Sequence, residues 1–143
     1  MVRFAVRLLD IPPYVRVIGM SGETSKEVWI ERRLPVWVAL SELFIDTELQ
    51  PAAYDAIART IRQAGIGRAE ALTILKEEVA PVFYSNTLSI AGNWTGWPEA
   101  EVRGSIMEHL SRGPVRRQVA VVAAKIWRSY AERWEEVARR LTD

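Results

Sequence analysis

Between Leu34 and Ile45 the chain reads LPVWVALSELFI, and from Val36 onward only Ser41 and Glu42 interrupt the apolar run. Leu34-Pro35 suits a helix start, because a proline in the first turn gives up an N–H that has no intrahelical partner anyway. A helix that is apolar on nearly every side has to be covered on nearly every side. The remaining segments must therefore be arranged around this one, and their own patterns are helical. Asp46-Thr47-Glu48 ends the apolar helix and Pro51 starts the next. In that second helix Tyr54, Ile57, Ala58 and Ile61 recur at the spacing of an amphipathic segment. Gly65 stands where a left-handed C-terminal cap belongs, with Ile66 placed for the apolar contact that accompanies it.

A third helix is expected over Arg68–Val79, with Leu72, Leu75 and Val79 on one side. Pro81 disfavours helical geometry at Ala80 and should end or kink it there. Residues 84–97, YSNTLSIAGNWTGW, hold the densest set of turn formers and read as one long irregular segment. Pro98 opens a fourth helix that should stop near Gly113. A fifth is expected from Pro114 to about Leu141, roughly 40 Å at about 1.5 Å per residue. Its stripe is Val115, Val119, Val122, Ile126, Tyr130, Trp134, Val137 and Leu141, with Trp127 alongside. The expected fold is all-α: a single-domain bundle of about five helices over residues 26–143, with the helix near 34–45 buried at its centre. Residues 1–25 read as an N-terminal extension, with short extended pieces at Phe4–Leu9 and Tyr14–Ile18 hinged at Pro12-Pro13. An equally good reading places the natural start near Met20, where a polar stretch precedes the first helix.

Composition then removes most chemistry. The 143 residues contain no cysteine and one histidine, His109. That excludes disulfide scaffolds, thiol nucleophiles, Cys-based zinc or iron–sulfur sites, HExxH sites and multi-histidine metal cages. Nineteen Lys+Arg against eighteen Asp+Glu leave a net charge of +1, so bulk charge selects no partner. No apolar run is long enough to span a bilayer, and Arg3, Arg7, Asp10 and Pro12-Pro13 break up anything resembling a secretory signal. The default compartment is the cytoplasm.

Four features could still carry function. Glu42, Asp46, Glu48 and Asp55 form an acidic stretch with no Lys or Arg among them. If the second and third helices folded back on each other, Asp46 and Glu48 could join Glu77 and Glu78 to bind a divalent metal or to act as acid and base. Capping and solvated charge are the more ordinary use of such residues. From Arg112 to Arg140 the last helix carries eight basic residues and three glutamates, a pattern that could track a phosphate backbone. The glutamates are interleaved, however, and a solvated outer face accounts for the charges more simply. His109 has no companion nucleophile or second ligand, so a structural or exposed role is favoured over catalysis. Neither Ser85 nor Ser89 lies in a nucleophile elbow, and Gly65-Ile66-Gly67 follows a helix rather than a strand, so it is no phosphate loop.

The six tryptophans are a surplus for this length. Trp37, Trp127 and Trp134 fit helical stripes and should pack the core, while Trp29 has no assignable role. Trp94 and Trp97 lie in or beside the irregular segment, where an aromatic either plugs the core or faces a partner. Plugging is favoured for Trp94, and the two roles balance for Trp97.

Two stretches, LPVWVALSELFIDTEL (Leu34 to Leu49) and EVAPVFYSNTLSIAGNWTGW (Glu78 to Trp97), resemble a family of small, mostly proteobacterial helical proteins of unknown function, DUF7079. The resemblance covers roughly residues 30–110. The family pattern has a glutamate where this chain has Asn93 and a phenylalanine where it has Trp97; if that glutamate serves a shared activity, its absence at Asn93 argues further against an enzymatic role. It implies a small bacterial helical protein and brings no catalytic residues with it. Taken together, the residues point to a non-catalytic protein-binding domain, most concretely an immunity- or antitoxin-like protein masking an effector. No cofactor or metal is expected, and the candidate partner-binding residues are Asp46, Glu48, Asp55, Trp94 and Trp97. The alternatives are a metal-dependent enzyme or regulator built on the carboxylates and a nucleic-acid accessory protein using the last helix.

Overall fold

The computed structural model describes residues 22–84, 95–127 and 130–141. Helix α1 spans Gly22–Ser41 and is prolonged by a 3-10 turn, Glu42–Phe44. Helix α2 spans Pro51–Gln63. Helix α3, Arg68–Ile74, passes without a break into a π-helical stretch, Leu75–Val79, and then into the short α4, Ala80–Phe83. Helices α5 (Glu99–Ser111), α6 (Pro114–Trp127) and α7 (Ala131–Arg140) complete the chain. The fold is all-α, with no strand among the described residues.

The apolar segment is central, as its composition demands. Val36, Trp37, Leu40 and Phe44 are wholly buried, with Ile30 and Leu43 nearly so. Around them pack α2, α5 and the π-helical stretch. Each such side chain contributes about 1.5–3 kcal/mol by leaving water. Trp37 and Trp134 are core residues as expected, and Trp29, which had no role, meets Trp37 edge-on at 5.7 Å.

The start of α1 differs from the expectation. Pro35 lies inside the helix rather than at its start, and the helix begins at Gly22, within the stretch expected to be an extension. A proline in a helix interior removes the N–H that would bond the carbonyl four residues earlier, here that of Glu31. Both Glu31 and Pro35 are on the solvent side of α1, where water can take that carbonyl. The loss is therefore tolerated.

At the end of α2 the Gly65 expectation holds. Gly65 has φ +69°, its N–H donates to the Arg62 carbonyl at 3.0 Å, and the Ile66 N–H donates to the Ile61 carbonyl at 3.2 Å. This is the paired bonding of a Schellman cap, and Ile66 is buried as that motif requires.

Pro81 does not stop the third helix, which continues through it to Phe83 by way of the π-helical stretch. The long fifth helix is instead two, α6 and α7, with Tyr130 in a turn. No proline or glycine lies between Trp127 and Ala131; α6 lies against α4, whereas α7 lies against α2. The break also resets the phase of the stripe. Helix α6 buries Val121 and Ala124, leaving Val115, Val119 and Val122 at 75%, 64% and 48% exposure. Those three valines were expected in the core and are at the surface.

The expected extended pieces at 4–9 and 14–18, the alternative start at Met20, and Ser85, Ser89, Asn93 and Trp94 lie outside the described residues. Among the described residues no helix is long and apolar enough to cross a membrane.

Candidate functional site

The acidic stretch is held from the far end of the chain. Arg133, near the start of α7, donates from Nη1 to the carbonyls of Leu43 at 3.2 Å and Ile45 at 2.9 Å, and from Nη2 to that of Thr47 at 2.8 Å. A helical segment ends with carbonyls that lack intrahelical donors. Arg133 meets that need across the end of the 3-10 turn and the loop after it. The backbone is thereby fixed while the side chains of Asp46, Thr47 and Glu48 all point to solvent. Neither Asp46 nor Glu48 makes an ion pair among the described residues.

Asp55 does not share their condition. Its Oδ1 accepts from Arg140 Nε at 2.6 Å, and Arg140 also bonds the Glu136 carboxylate at 3.0 Å and lies 5.5 Å from the centre of the Tyr54 ring. This pair links α2 to α7 at the surface, where the Asp55 side chain is 57% exposed, whereas Asp46 and Glu48 have no ion pair among the described residues.

Glu78 has a different fate again. Only 2% exposed, it accepts from Trp37 Nε1 at 2.9 Å and pairs with Arg33 Nη1 at 3.3 Å. The Arg33 guanidinium lies 4.5 Å over the Trp29 ring and its Nη2 reaches Glu70 at 3.5 Å, while its buried Nε has no hydrogen-bond partner among the described residues. Burial pushes the Glu78 carboxyl up to about 7, against the opposing pull of Arg33 and the Trp37 N–H. A carboxyl near neutrality suits acid–base work, but no substrate atom reaches a side chain this enclosed. Trp29, Arg33 and Trp37 recur every four residues on one face of α1, a sequence signal for this cluster that charge counting passes over.

The π-helical stretch carrying Glu77 and Glu78 has a local cause. Pro81 lacks the N–H that would bond the Glu77 carbonyl, and its ring crowds that carbonyl. His109, 2% exposed on α5, is 3.0 Å from the Glu77 carbonyl through Nε2, so the ring nitrogen replaces the missing donor. Burial lowers the pKa of His109, favouring the neutral ring. With the proton on Nε2, Nδ1 is left buried and without a partner among the described residues. His109 is therefore a structural residue.

Glu77 is exposed while Glu78 is buried against Arg33 and Trp37. Among the described residues no three His, Asp or Glu side chains come together to hold a metal ion. Trp97 is half-buried and packs against the core, its ring 4.6 Å from that of Phe83. The arginines of α7 are engaged within the fold, while Arg116 and Lys125 of α6 make no ion pair among the described residues. Arg133 holds the acidic loop, Arg140 and Arg139 bond Glu136, and Arg112 pairs with Glu108 at 3.4 Å. No curated protein and no solved structure shows a match to this chain. The family model described as Domain of unknown function (DUF7079) matches residues 31–140, and the chain belongs to that family.

Proposed function

We propose that this chain is a non-catalytic protein-binding domain, most concretely an immunity- or antitoxin-like protein that masks an effector by laying a rigid acidic loop on its basic surface. The observation that supports this reading is the loop itself. Arg133 fixes the backbone at Leu43, Ile45 and Thr47, while Asp46 and Glu48 stand exposed with no ion pair among the described residues. A loop ordered before binding loses less conformational entropy on association, and unpaired surface carboxylates speed encounter with a basic partner. Asp46 and Glu48 are the partner-contacting residues in this reading. Asp55 is a structural neighbour, and Trp97 packs against the core beside Phe83. A bacterial cytoplasm is the setting the proposal assumes, in keeping with a chain that has no cysteine.

Co-expression with the products of adjacent genes tests the reading. The expected result is that one neighbour is toxic alone, is neutralised by this protein, and co-purifies with it. If no neighbour is neutralised and none co-purifies, the proposal fails.

A further inference from the structure

We infer that the outer face of α6 is a docking site for an acidic amphipathic helix of another protein, independent of the acidic loop. Helix α6 is apolar on two sides. Val121 and Ala124 are buried toward the fold, whereas Val115, Val119 and Val122 are exposed. At 3.6 residues per turn these three valines line up as one ridge nearly opposite the buried pair. Single exposed valines are ordinary, but three in one ridge do little for the helix that carries them, because valine is a modest helix former and these side chains stay in water. The i, i+4, i+7 spacing is that of a ridge against which a second helix packs.

The charges beside the ridge select its occupant. Helix α6 contains no Asp or Glu. Arg116 and Lys125, both exposed, flank the valines on opposite sides and near opposite ends, about 13 Å apart along the axis. Neither makes an ion pair among the described residues. A second copy docking by the same face would bring these cations against their own kind, with no acid on either helix, so charge opposes a two-fold dimer. Other parts of the chain do not match either: residues 1–21 carry Arg3, Arg7 and Arg16 against Asp10, and residues 85–94 carry no charge. An anionic membrane would meet the cations, but the ridge offers valines without the Trp, Phe or Leu that seat a helix among headgroups. A helix with an apolar stripe and carboxylates on both flanks covers the valines and pairs both cations at once.

Titration of the full chain into a labelled synthetic helix of about 20 residues, built with a leucine stripe flanked by glutamates, tests the assignment. The controls are the same peptide with lysines for glutamates and phosphatidylglycerol vesicles. The acidic peptide should bind below about 1 mM, with the lysine peptide at least about tenfold weaker and the vesicles not retained. Val115→Ser with Val119→Ser should weaken the acidic peptide at least about tenfold. Arg116→Glu with Lys125→Glu should reverse the preference between the two peptides. All four positions are exposed, so each variant should melt like the wild type. No binding of the acidic peptide, equal binding of both peptides, indifference to the valine or charge variants in a folded chain, retention by the vesicles, or self-association abolished by the valine variant would each overturn the inference.

Discussion

At the scale of single residues, Glu78 is where this fold depends most on its surroundings. Its carboxyl is raised from 4.5 to about 7, so the folded state holds a proton that the unfolded chain has released. The sign follows from linkage: the stabilisation is complete below about 4.5 and is lost as pH rises through about 7. Glu78→Gln should therefore flatten a downward stability slope between pH 5 and pH 7.5 in urea unfolding. An unchanged slope would show that Glu78 is not the titrating group. Trp37 is tied to the same carboxyl, so its truncation removes both packing and a donor. Trp37→Ala should cost about 3–5 kcal/mol, and Trp37→Phe, which loses mainly the N–H, about 1–3 kcal/mol.

At the scale of elements, His109 and Pro81 form one device. The proline removes a donor from the Glu77 carbonyl and the histidine supplies another. His109→Leu should cost about 1–3 kcal/mol by leaving that carbonyl unsatisfied, and Pro81→Ala in the same chain should recover part of it by restoring an N–H. Further destabilisation by Pro81→Ala would refute the pairing. His109 also opposes Glu78 in pH. Its pKa is lowered from 6.5 by burial, so its stabilisation is present above 6.5 and is lost as pH falls through the lowered value.

Elements whose causes are local were legible in the sequence: Pro51 at a helix start, Gly65 in a left-handed cap, and an apolar segment that had to be central. What depends on distant partners was not. Pro35 is tolerated inside α1 because it faces water, and α6 and α7 dock on different helices. The valine stripe of α6 went astray for the same reason, since its phase was extrapolated from α7 across a break with no local signal. Val119→Ser, which removes a 64% exposed side chain from no partner, should change stability by no more than about 0.5 kcal/mol in the same unfolding assay. A loss of several kcal/mol would return that face to the core.

At the scale of the molecule, charges that looked interchangeable in the sequence divide by what they touch. Glu78 and Asp55 pair with arginines of the fold, Arg133 and Arg140 of α7 are likewise engaged, and Asp46 and Glu48 are left outward on a braced loop. The exposure of Asp46 and Glu48 was legible, because polar residues between two helix signals rarely lie elsewhere. The bracing was not, because Arg133 lies 86–90 residues further along the chain. The most direct test is the affinity of the co-purified partner for the wild type and for the Asp46→Lys, Glu48→Lys double variant, measured alongside thermal unfolding. The account predicts at least about hundredfold weaker binding with a melting temperature within about 2 °C of the wild type. Unchanged affinity in a folded double variant would contradict it.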